Sequence, residues 1–334
     1  MDRRTFLTQL GRCGLLATAA RVGLGVSPER QAPFNLPDLE NLPATRPVPP
    51  EAKSLVARAV DPMILAGPRL HENALLTALH RALCLAVKVE KPAEAWRRLV
   101  GPDDVVGIAL DAVGFEPLGT GAPLAGQLVR SLGQADVARE RVVLIGPPTR
   151  VAETLGTRPC TFGWQSEPTQ VGDIQVKLAA VLEQVTVLVN VPTLATDNVC
   201  GIAGCIKNAS LPFVQRQGPF YEQACTPHLA DLLAVPAIRS KLRLHIVNGL
   251  RGVFDRGPLV YRECIWPYAG LLVSTDPVAA DTVALDVLNA RRAEAGLPAI
   301  GDDRGRLPHV HAAAKRGLGT DDPDYIRIVE PVGL

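Results

Sequence analysis

The sequence has no C-x-x-C motif, although its 334 residues include 7 cysteines. Zinc ribbons use pairs of this motif, and ferredoxin-type iron–sulfur clusters are held by closely spaced runs of cysteine. Beyond Cys13, the cysteines follow no regular spacing and stand at Cys84, Cys160, Cys200, Cys205, Cys225 and Cys264. The sequence therefore excludes both kinds of site.

Aromatic residues, long apolar runs and an excess of one charge are also scarce. Aromatic residues make up 4% of the chain, so the core must be mainly aliphatic. No run of about 20 uninterrupted apolar residues occurs, and we therefore expect no stable membrane span. The formal net charge is +1, with acidic and basic residues interspersed. Since no basic stripe carries aromatic residues, we expect no nucleic-acid partner.

The N-terminus carries a pattern typical of twin-arginine signals. Arg3 and Arg4 precede Thr5-Phe6-Leu7, and a weakly apolar stretch covers residues 10–26. A dedicated translocase reads such signals and exports folded proteins. We therefore predict a periplasmic or extracytoplasmic protein with the twin-arginine translocase as its partner during export. An amphipathic first helix with two adjacent arginines is the alternative.

The rest of the composition is that of an ordinary globular protein, with 47% hydrophobic and 21% charged residues. A chain of 35.6 kDa can form one large domain or two lobes. We predict a signal segment at residues 1–26, a proline-rich linker at 27–50 and a single α/β domain at 51–334.

Residues 187–208 form the stretch around which the predicted fold is arranged. Val187-Leu188-Val189-Asn190-Val191 is an apolar run that predicts a strand buried on both faces, and Pro192 ends it. A polar turn at 193–198 is predicted next, followed by two glycines, two cysteines and Lys207-Asn208. Ligands of open α/β sheets bind beyond the carboxyl ends of strands, so these polar groups mark a candidate site.

The patterns before and after this stretch alternate between helices and strands. Further strands are predicted at 104–111, 141–146, 242–247, 270–274 and 325–329. Helices are predicted at 72–87, 92–100, 123–132, 178–184, 223–235, from 277 onward and at 309–316. Residues 147–175 are predicted to be rich in loops, and Asn248-Gly249 to be a turn. This order predicts an α/β fold with a mostly parallel sheet and helices on both faces, with a division into two lobes left open.

Polar residues near predicted strand ends and helix starts are the candidate site residues. Catalytic roles are predicted for Lys207, His228, Asp281 and Asp197. Ligand-binding roles are predicted for Asp111, Thr120, Asn208 and Asn248. His228 and an aspartate would do acid–base work, while Lys207 would hold negative charge. A buried Asp281 needs a partner, and Lys207 is the predicted one.

The segment from Gly201 to Lys207 has features of an anion-binding turn. It lacks the G-x-x-x-x-G-K-[ST] spacing of a P-loop, but glycines and a lysine near a helix start favour an anionic, small-molecule ligand. The alternative is a tight turn with a solvated lysine. Cys200 and Cys205 are weak metal candidates, and two inert buried thiols are the simpler interpretation.

Five segments resemble, in order, the domain of unknown function 362 family, in its exported twin-arginine branch. They are AEAWRRLVGPDDVVGIALD (93–111), VTVLVNVPTL…GIAGCIKN (185–208), IRSKLRLHIVNGLRGVFDRGP (238–258), LLVSTDPVAAD (271–281) and GLGTDDPDYIRIV (317–329). The resemblance implies an α/β fold with conserved groups gathered at strand ends. Some members carry an added iron–sulfur cluster domain, and this chain lacks one.

The chain departs from the family pattern at charged positions. Relatives usually read I-K-V-N where this chain has residues 108–111 (IALD), and P-x-x-K-x-H where it has residues 192–197 (PTLATD). Ala203 stands in place of a usual threonine. The positions that match are Lys207, Asn208, His228 and Asp281. Loss of two lysines and a histidine, with gain of two aspartates, implies that the activity of the family is changed or lost here.

Two functions follow from this reading. The first is an exported protein that acts on a small polar or anionic ligand, with redox or metal-linked chemistry included. The second is a non-catalytic ligand-binding or assembly protein with a degenerate site. The sequence assigns no cofactor and does not decide whether the protein is an enzyme.

The export prediction is tested by replacing both arginines with lysine. Arg3→Lys combined with Arg4→Lys should abolish export, because the translocase recognises the guanidinium pair and not only its charge. Cell fractionation followed by immunoblotting measures the distribution of the protein. Normal extracytoplasmic accumulation of the double variant would contradict the predicted signal.

Overall fold

The computed structural model describes residues 53–67, 69–302 and 305–332. The predicted signal segment at 1–26 and the linker at 27–50 lie outside these ranges, so both stay predictions. Within the described ranges, no helix has the length and apolar character needed to cross a membrane.

The chain alternates between strands and helices along most of its described length. The strands are β1 (Ser54–Val60), β2 (Val106–Leu110), β3 (Val142–Ile145), β4 (Arg158–Pro159), β5 (Trp164–Val171), β6 (Ile174–Ala179), β7 (Val187–Val191), β8 (Thr193–Asp197), β9 (Gly201–Ile202), β10 (Leu242–Val253), β11 (Ile265–Trp266), β12 (Gly270–Ser274) and β13 (Ile326–Val329). The α-helices are α1 (Glu72–Val87), α2 (Pro92–Leu99), α3 (Ala112–Phe115), α4 (Gly121–Gly133), α5 (Thr149–Leu155), α6 (Val181–Gln184), α7 (Cys205–Asn208), α8 (His228–Leu233), α9 (Pro236–Arg239), α10 (Pro277–Glu294) and α11 (Pro308–Lys315). Short 3-10 helices are Pro62–Leu65, Arg139–Arg141, Leu211–Phe213, Gly218–Cys225, Arg262–Cys264 and Pro323–Tyr325.

Strands β13, β1, β12, β10, β7, β2, β3 and β4 lie side by side, in this order, in one large sheet. β10, β7, β2, β3 and β4 run parallel to one another. β12 is antiparallel to both β10 and β1, and β1 is parallel to β13. β5 and β6 form a separate antiparallel pair. The sheet is therefore mixed and mostly parallel, which confirms the predicted α/β class.

Helices cover both faces of the large sheet. Along β3, Val142 and Leu144 belong to a core cluster shared with α1, α2 and α4, whereas Val143 and Ile145 belong to one shared with α7, α8, α10 and α11. Alternate side chains of a strand point to opposite faces, so each cluster marks one face. Burial on both faces explains why the central strands are continuous apolar runs in the sequence.

Helix α1 shows how local sequence produces one of these layers. Leu75, Leu79 and Leu83 recur every four residues and are fully buried, as in a helix that packs by one face. The helix ends where Lys88 takes a left-handed conformation with φ of 60°. Its amide donates to the Cys84 and Leu85 carbonyls, which satisfies acceptors at the end of the helix.

Strand β10 is longer than the sequence predicts. Asn248-Gly249 is typical of a turn, but β10 continues past it. A Cβ at Gly249 would lie 2.7 Å from the ring of Tyr268, and a Cβ at Gly252 would lie 2.1 Å from the ring of Trp266. The turn prediction is wrong because these glycines serve the close packing of aromatic rings on a strand.

Three other local predictions are corrected. Residues 147–175, predicted as rich in loops, contain α5, β4 and β5. The helix predicted at 223–235 begins only at His228, because residues 223–225 have left-handed backbone angles with φ of 49°, 52° and 67°. The polar turn predicted at 193–198 consists largely of strand β8, which is buried throughout.

The order of the parallel strands reverses between β7 and β2. From β2 the chain proceeds outward to β3 and β4, and then crosses to β7 and β10 on the other side of β2. At such a point in an open α/β sheet, a crevice forms at the carboxyl ends of the strands. The Asp111 amide, directly after β2, donates to the Val191 carbonyl at the end of β7 over 3.1 Å. The two strand ends therefore meet where a ligand site is expected.

Candidate functional site

A cavity of about 100 Å³ opens at the carboxyl ends of β2 and β3. Its walls are formed by residues 109–113 at the end of β2, by Ile145 and Gly146 at the end of β3, by seven residues between 203 and 221, and by Pro258. The cavity therefore lies at the sheet edge where the sequence predicts a site.

The cavity combines apolar walls with a few polar groups. The apolar side chains include Leu110, Val113, Ile145, Leu211, Pro212 and Pro258. The polar side chains are those of Asp111, Lys207, Asn208, Gln217 and Tyr221. Small-molecule sites commonly have this composition, in which apolar surface supplies affinity and a few polar groups fix orientation.

Gly146 allows the ends of β2 and β3 to approach each other at the base of the cavity. It adopts φ of 104°, which side chains rarely tolerate. A Cβ there would lie 2.2 Å from the Leu110 carbonyl oxygen. This position therefore requires glycine for both reasons.

Lys207, on the short helix α7, forms an ion pair with Asp197 at the end of β8. Their side chains are 12% and 1% exposed. Asp197 also accepts hydrogen bonds from the backbone amides of Val199 (2.8 Å) and Cys200 (3.0 Å), which fixes the turn after β8. The pair therefore joins the strand to the wall of the cavity.

Opposing effects act on the pKa values of this pair. Burial alone would lower the pKa of Lys207, but the charge of Asp197 outweighs it and holds that pKa well above the usual range. Burial would raise the pKa of Asp197, yet the charge and hydrogen bond of Lys207 bring it below its usual value. Both shifts favour the ionised form of each group, in which Lys207 carries its proton.

The ring of Tyr221 lies beside the ammonium group, with the Lys207 Nζ 5.1 Å from its centre. This distance is within the range of a cation–π contact. Burial raises the pKa of Tyr221, so its phenol stays neutral. Tyr221 lies in the 3-10 segment Gly218–Cys225, and its contact holds that segment against the lysine.

Asn208 ties α7 to the sheet. Its Nδ2 donates to the Ala109 carbonyl (3.0 Å) on β2 and to Asn190 Oδ1 (2.7 Å) on β7. Asn190 Nδ2 in turn lies 3.0 Å from His245 Nδ1 and donates to the Cys205 carbonyl. Burial lowers the pKa of His245 to about 3, so the imidazole is neutral and its Nδ1 accepts this hydrogen bond.

Asp281 supports α7 and does not pair with Lys207, so the predicted partnership is wrong. Its carboxylate accepts from the Cys205 amide (2.5 Å) and the Ile206 amide (3.0 Å). Unpaired amides at a helix start provide a partner that a sequence pattern does not show. Burial raises the pKa of Asp281 to about 7, against the opposite effect of the two amides. A Cβ at Gly204 would lie 2.2 Å from Asp281 Oδ1, so this contact requires glycine.

Asp111 lines the cavity as predicted, but its carboxylate serves the fold as well. Its two oxygens accept from the Val113 amide (3.0 Å) and the Gly114 amide (3.1 Å), and the residue thereby caps α3. Its predicted ligand-binding role stays a prediction.

Three other predicted residues do not line this cavity. Thr120 and Asn248 are buried, and Asn248 Nδ2 donates to Thr120 Oγ1 over 3.0 Å. This contact joins β10 to the start of α4. His228 begins α8, where its ring lies edge-on to Phe220 with the centroids 6.3 Å apart. The predicted cleft therefore unites Asp111, Lys207 and Asn208, with Asp197 behind the lysine.

The cysteine candidates have separate surroundings. The amide of Cys205 donates to the Asp281 carboxyl, whereas the thiol of Cys200 donates to the Ile202 carbonyl over 3.3 Å. Burial raises the pKa of both Cys200 and Cys205 well above the usual range. Within residues 53–67, 69–302 and 305–332, no group of three or more histidine, cysteine, aspartate or glutamate side chains is placed to hold a metal ion.

Sequence reasoning did not single out three residues of this region. Gln217 and Tyr221 belong to a segment without a motif, and only the fold brings them to the cavity. His309 is fully buried on α11, and neither ring nitrogen has a hydrogen-bond partner among the described residues. Burial lowers its pKa to about 4, and the charges of Asp197 and Lys207 act on it with opposite signs. Its position at a helix start gives no sign of such burial.

Residues 151–286 match the sequence model of the family "Domain of unknown function (DUF362)". This part of the chain is therefore similar to the DUF362 family. The matched range runs from α5 into α10 and includes Lys207, Asn208 and Asp281, while Asp111 precedes it. No curated protein and no solved structure gives a significant match to this chain.

The burial of the ion pair predicts a large effect of removing the lysine. Lys207→Met should lower the free energy of unfolding by about 3–5 kcal/mol, because Asp197 would remain buried without a counter-charge. Adding Asp197→Asn should recover part of that loss, since the amide carries no charge. Chemical denaturation at neutral pH measures both variants.

The exposed pair Arg97–Asp136 provides the control for this experiment. Its side chains are 57% and 78% exposed, so Arg97→Met should cost less than about 0.5 kcal/mol. A Lys207→Met loss no greater than that of Arg97→Met would show that the Lys207–Asp197 pair does not stabilise the fold.

The buried histidine predicts a specific pH dependence. The pKa of His309 is about 4 in the folded protein and about 6.5 when unfolded, so below pH 6.5 the unfolded state binds the additional proton. Its contribution to stability is therefore complete above pH 6.5 and declines as the pH falls towards 4. Asp281, whose pKa is raised to about 7, acts in the opposite direction over this range.

Replacing His309 isolates its contribution from that of Asp281. His309→Leu should make the change in unfolding free energy from pH 7 to pH 5 more stabilising by about 2 kcal/mol than the change measured for the unchanged chain. Denaturant unfolding at the two pH values measures the difference. His71, which is exposed, is the control, and His71→Leu should leave the pH dependence unchanged. If the stability of the His309→Leu variant and that of the unchanged chain depend on pH to the same extent, buried His309 does not contribute to the pH dependence of stability.

Proposed function

We propose that the cavity binds a small molecule with an apolar body and an anionic group, and that Lys207 contacts the anionic group. The observation that carries the proposal is a largely buried ammonium group, held by an ion pair with Asp197, on the wall of an otherwise mostly apolar cavity. The effective dielectric constant of such a cavity is lower than that of water, and this strengthens the attraction between the ammonium group and an anionic group of the ligand.

Lys207 retains hydrogen-bonding capacity for a ligand. An ammonium group has three N–H donors, and the Asp197 carboxylate takes one of them. Asp197 holds the ammonium charged and fixed, so a ligand meets a preorganised donor. The Tyr221 ring further restricts the lysine side chain.

The apolar walls determine what the rest of the ligand must be. Leu110, Ile145 and Leu211 offer only aliphatic contacts, which favour a hydrocarbon portion over a polyhydroxylated one. A space of about 100 Å³ suits a short chain of a few carbon atoms. A small carboxylate combines this size with the required charge.

The arrangement favours binding over acid–base turnover. His228 and Asp281, two predicted catalytic residues, do not line the cavity. Asp281 is engaged with two backbone amides, and Asp197 is held ionised by Lys207. The hypothesis of a non-catalytic ligand-binding protein therefore has more support than that of an enzyme using these residues.

We propose in addition that the protein binds this ligand outside the cytoplasm. The support is the sequence pattern around Arg3 and Arg4, which resembles a twin-arginine signal. The fractionation experiment on the double lysine variant tests this part separately from ligand binding.

Butyrate and butyramide form a matched pair of probes for the cavity. They share a hydrocarbon chain, and only butyrate carries a charge at neutral pH. We expect butyrate to bind at least about ten-fold more tightly than butyramide, which corresponds to about 1.4 kcal/mol for the contact with Lys207. Isothermal titration calorimetry measures both, with inorganic phosphate as an anion that lacks an apolar portion.

The charge-free variant provides the control. Lys207→Met combined with Asp197→Asn removes both charges together, so no buried charge remains unpaired. This variant should lose the preference for butyrate over butyramide. Equal affinity of the two probes for the unchanged chain, or a preference that persists in the variant, would contradict the proposal.

A further inference from the structure

The cavity carries a negative charge that an anionic ligand alone leaves unpaired. Among the described residues, the charged side chains that line it are those of Asp111 and Lys207. Lys207 is already paired with Asp197, whereas no described lysine, arginine or histidine forms an ion pair with Asp111. A carboxylate that loses water without gaining a partner costs free energy. A ligand that fills the cavity therefore binds better if it also carries a positive charge.

The Asp111 carboxylate is held in place but keeps acceptor capacity. Each oxygen accepts one backbone amide, from Val113 over 3.0 Å and from Gly114 over 3.1 Å. An ionised carboxylate has about four lone-pair positions, so each oxygen can accept a further hydrogen bond. A Cβ at Gly114 would lie 2.9 Å from Asp111 Oδ2, so glycine allows this amide to approach. The carboxylate is thus preorganised for a donor in the cavity.

The side-chain amide of Asn208 adds an acceptor to the same cavity. Its Nδ2 faces the Ala109 carbonyl (3.0 Å) and Asn190 Oδ1 (2.7 Å), and both of these atoms are acceptors. The orientation of the amide is therefore fixed, and its two N–H donors are used within the protein. Asn208 Oδ1 receives no hydrogen bond from a described residue and stays accessible.

Gln217 offers an acceptor by the same logic. Its Nε2 donates to the Leu211 carbonyl over 2.9 Å, and a carbonyl oxygen can only accept, so this contact fixes which end of the amide is nitrogen. Gln217 Oε1 receives no hydrogen bond from a described residue and stays accessible, although the residue as a whole is buried. Three acceptor side chains, Asp111, Asn208 and Gln217, therefore share the cavity with the ammonium group of Lys207.

We propose that the ligand is an aminocarboxylate, whose protonated amine is received by Asp111, Asn208 Oδ1 and Gln217 Oε1. This inference rests on the proposed function, in which Lys207 holds the anionic group. An alkylammonium group has three N–H donors and one positive charge, which suits three acceptors of which one is a carboxylate.

Other polar groups suit these acceptors less well. A hydroxyl group brings one donor and no charge, so it would leave Asp111 uncompensated. A neutral amide group has the same deficiency in charge. The aliphatic walls, formed by side chains such as Leu110, Ile145 and Leu211, suit the short hydrocarbon segment that separates the two charged ends of an aminocarboxylate.

Calorimetry with the isomers of aminobutyrate tests the proposal. The 2-, 3- and 4-amino isomers share the carbon chain and the carboxylate of butyrate, and each adds an ammonium group at a different carbon. The best of the three should bind the full-length chain at least about ten-fold more tightly than butyrate. The hydroxybutyrate substituted at the same carbon should gain less, because it carries no positive charge.

Asp111→Asn removes the charge and retains the cap of α3, since asparagine is as good a helix cap as aspartate. In this variant the best isomer should lose its advantage over butyrate. Asp136→Asn is the matched control, because the side chain of Asp136 is 78% exposed and the residue does not line the cavity. The control should retain the advantage in full.

The possible outcomes separate this inference from the proposed function. If butyrate binds more tightly than butyramide but no aminobutyrate isomer exceeds butyrate, the amine site is overturned and the anion site stands. An advantage of the amine that persists in Asp111→Asn also overturns the inference. If this variant does not fold, the comparison of ligands on the unchanged chain decides. Equal binding of butyrate and butyramide overturns the proposed function, and this inference with it.

Discussion

A buried ammonium group needs a counter-charge, and in this protein Asp197 provides it for Lys207. The contact fixes several features of the region. It keeps the lysine protonated, it draws the turn after β8 together through the amides that Asp197 also binds, and it places a cation against Tyr221. Without it, the wall of the cavity would carry an uncompensated charge.

The helix that carries the lysine is only one turn long and depends on outside support. Asp281 from α10 satisfies the amides at its start, and Asn208 at its end is bonded to β2 and, through Asn190, to β7. Gly204 leaves room for the Asp281 carboxylate. Residues that match the family pattern thus act here as supports that hold Lys207 at the junction of the two strands.

The departures from the family pattern can now be placed in space. Asp111 stands at the end of β2 and caps α3, while Asp197 stands at the end of β8 and neutralises Lys207. Ala109 and Ala203, at positions where the resemblance implies lysine and threonine, line the cavity with methyl groups.

The sequence by itself determined the class of the fold and pointed to the sheet edge at which the cavity lies. Continuous apolar runs predict strands buried on both faces, and such strands pair in a parallel sheet whose carboxyl ends meet at one edge. Those patterns are local, so Val187–Val191 and the leucine stripe of α1 could be found without coordinates. Partners were decided only by the tertiary structure, because hydrogen bonds and ion pairs join residues far apart in the chain. Asp281 meets two backbone amides instead of Lys207, and Asn248 meets Thr120 inside a continuing strand. A residue type limits what a side chain can bind, but packing determines which group is within reach.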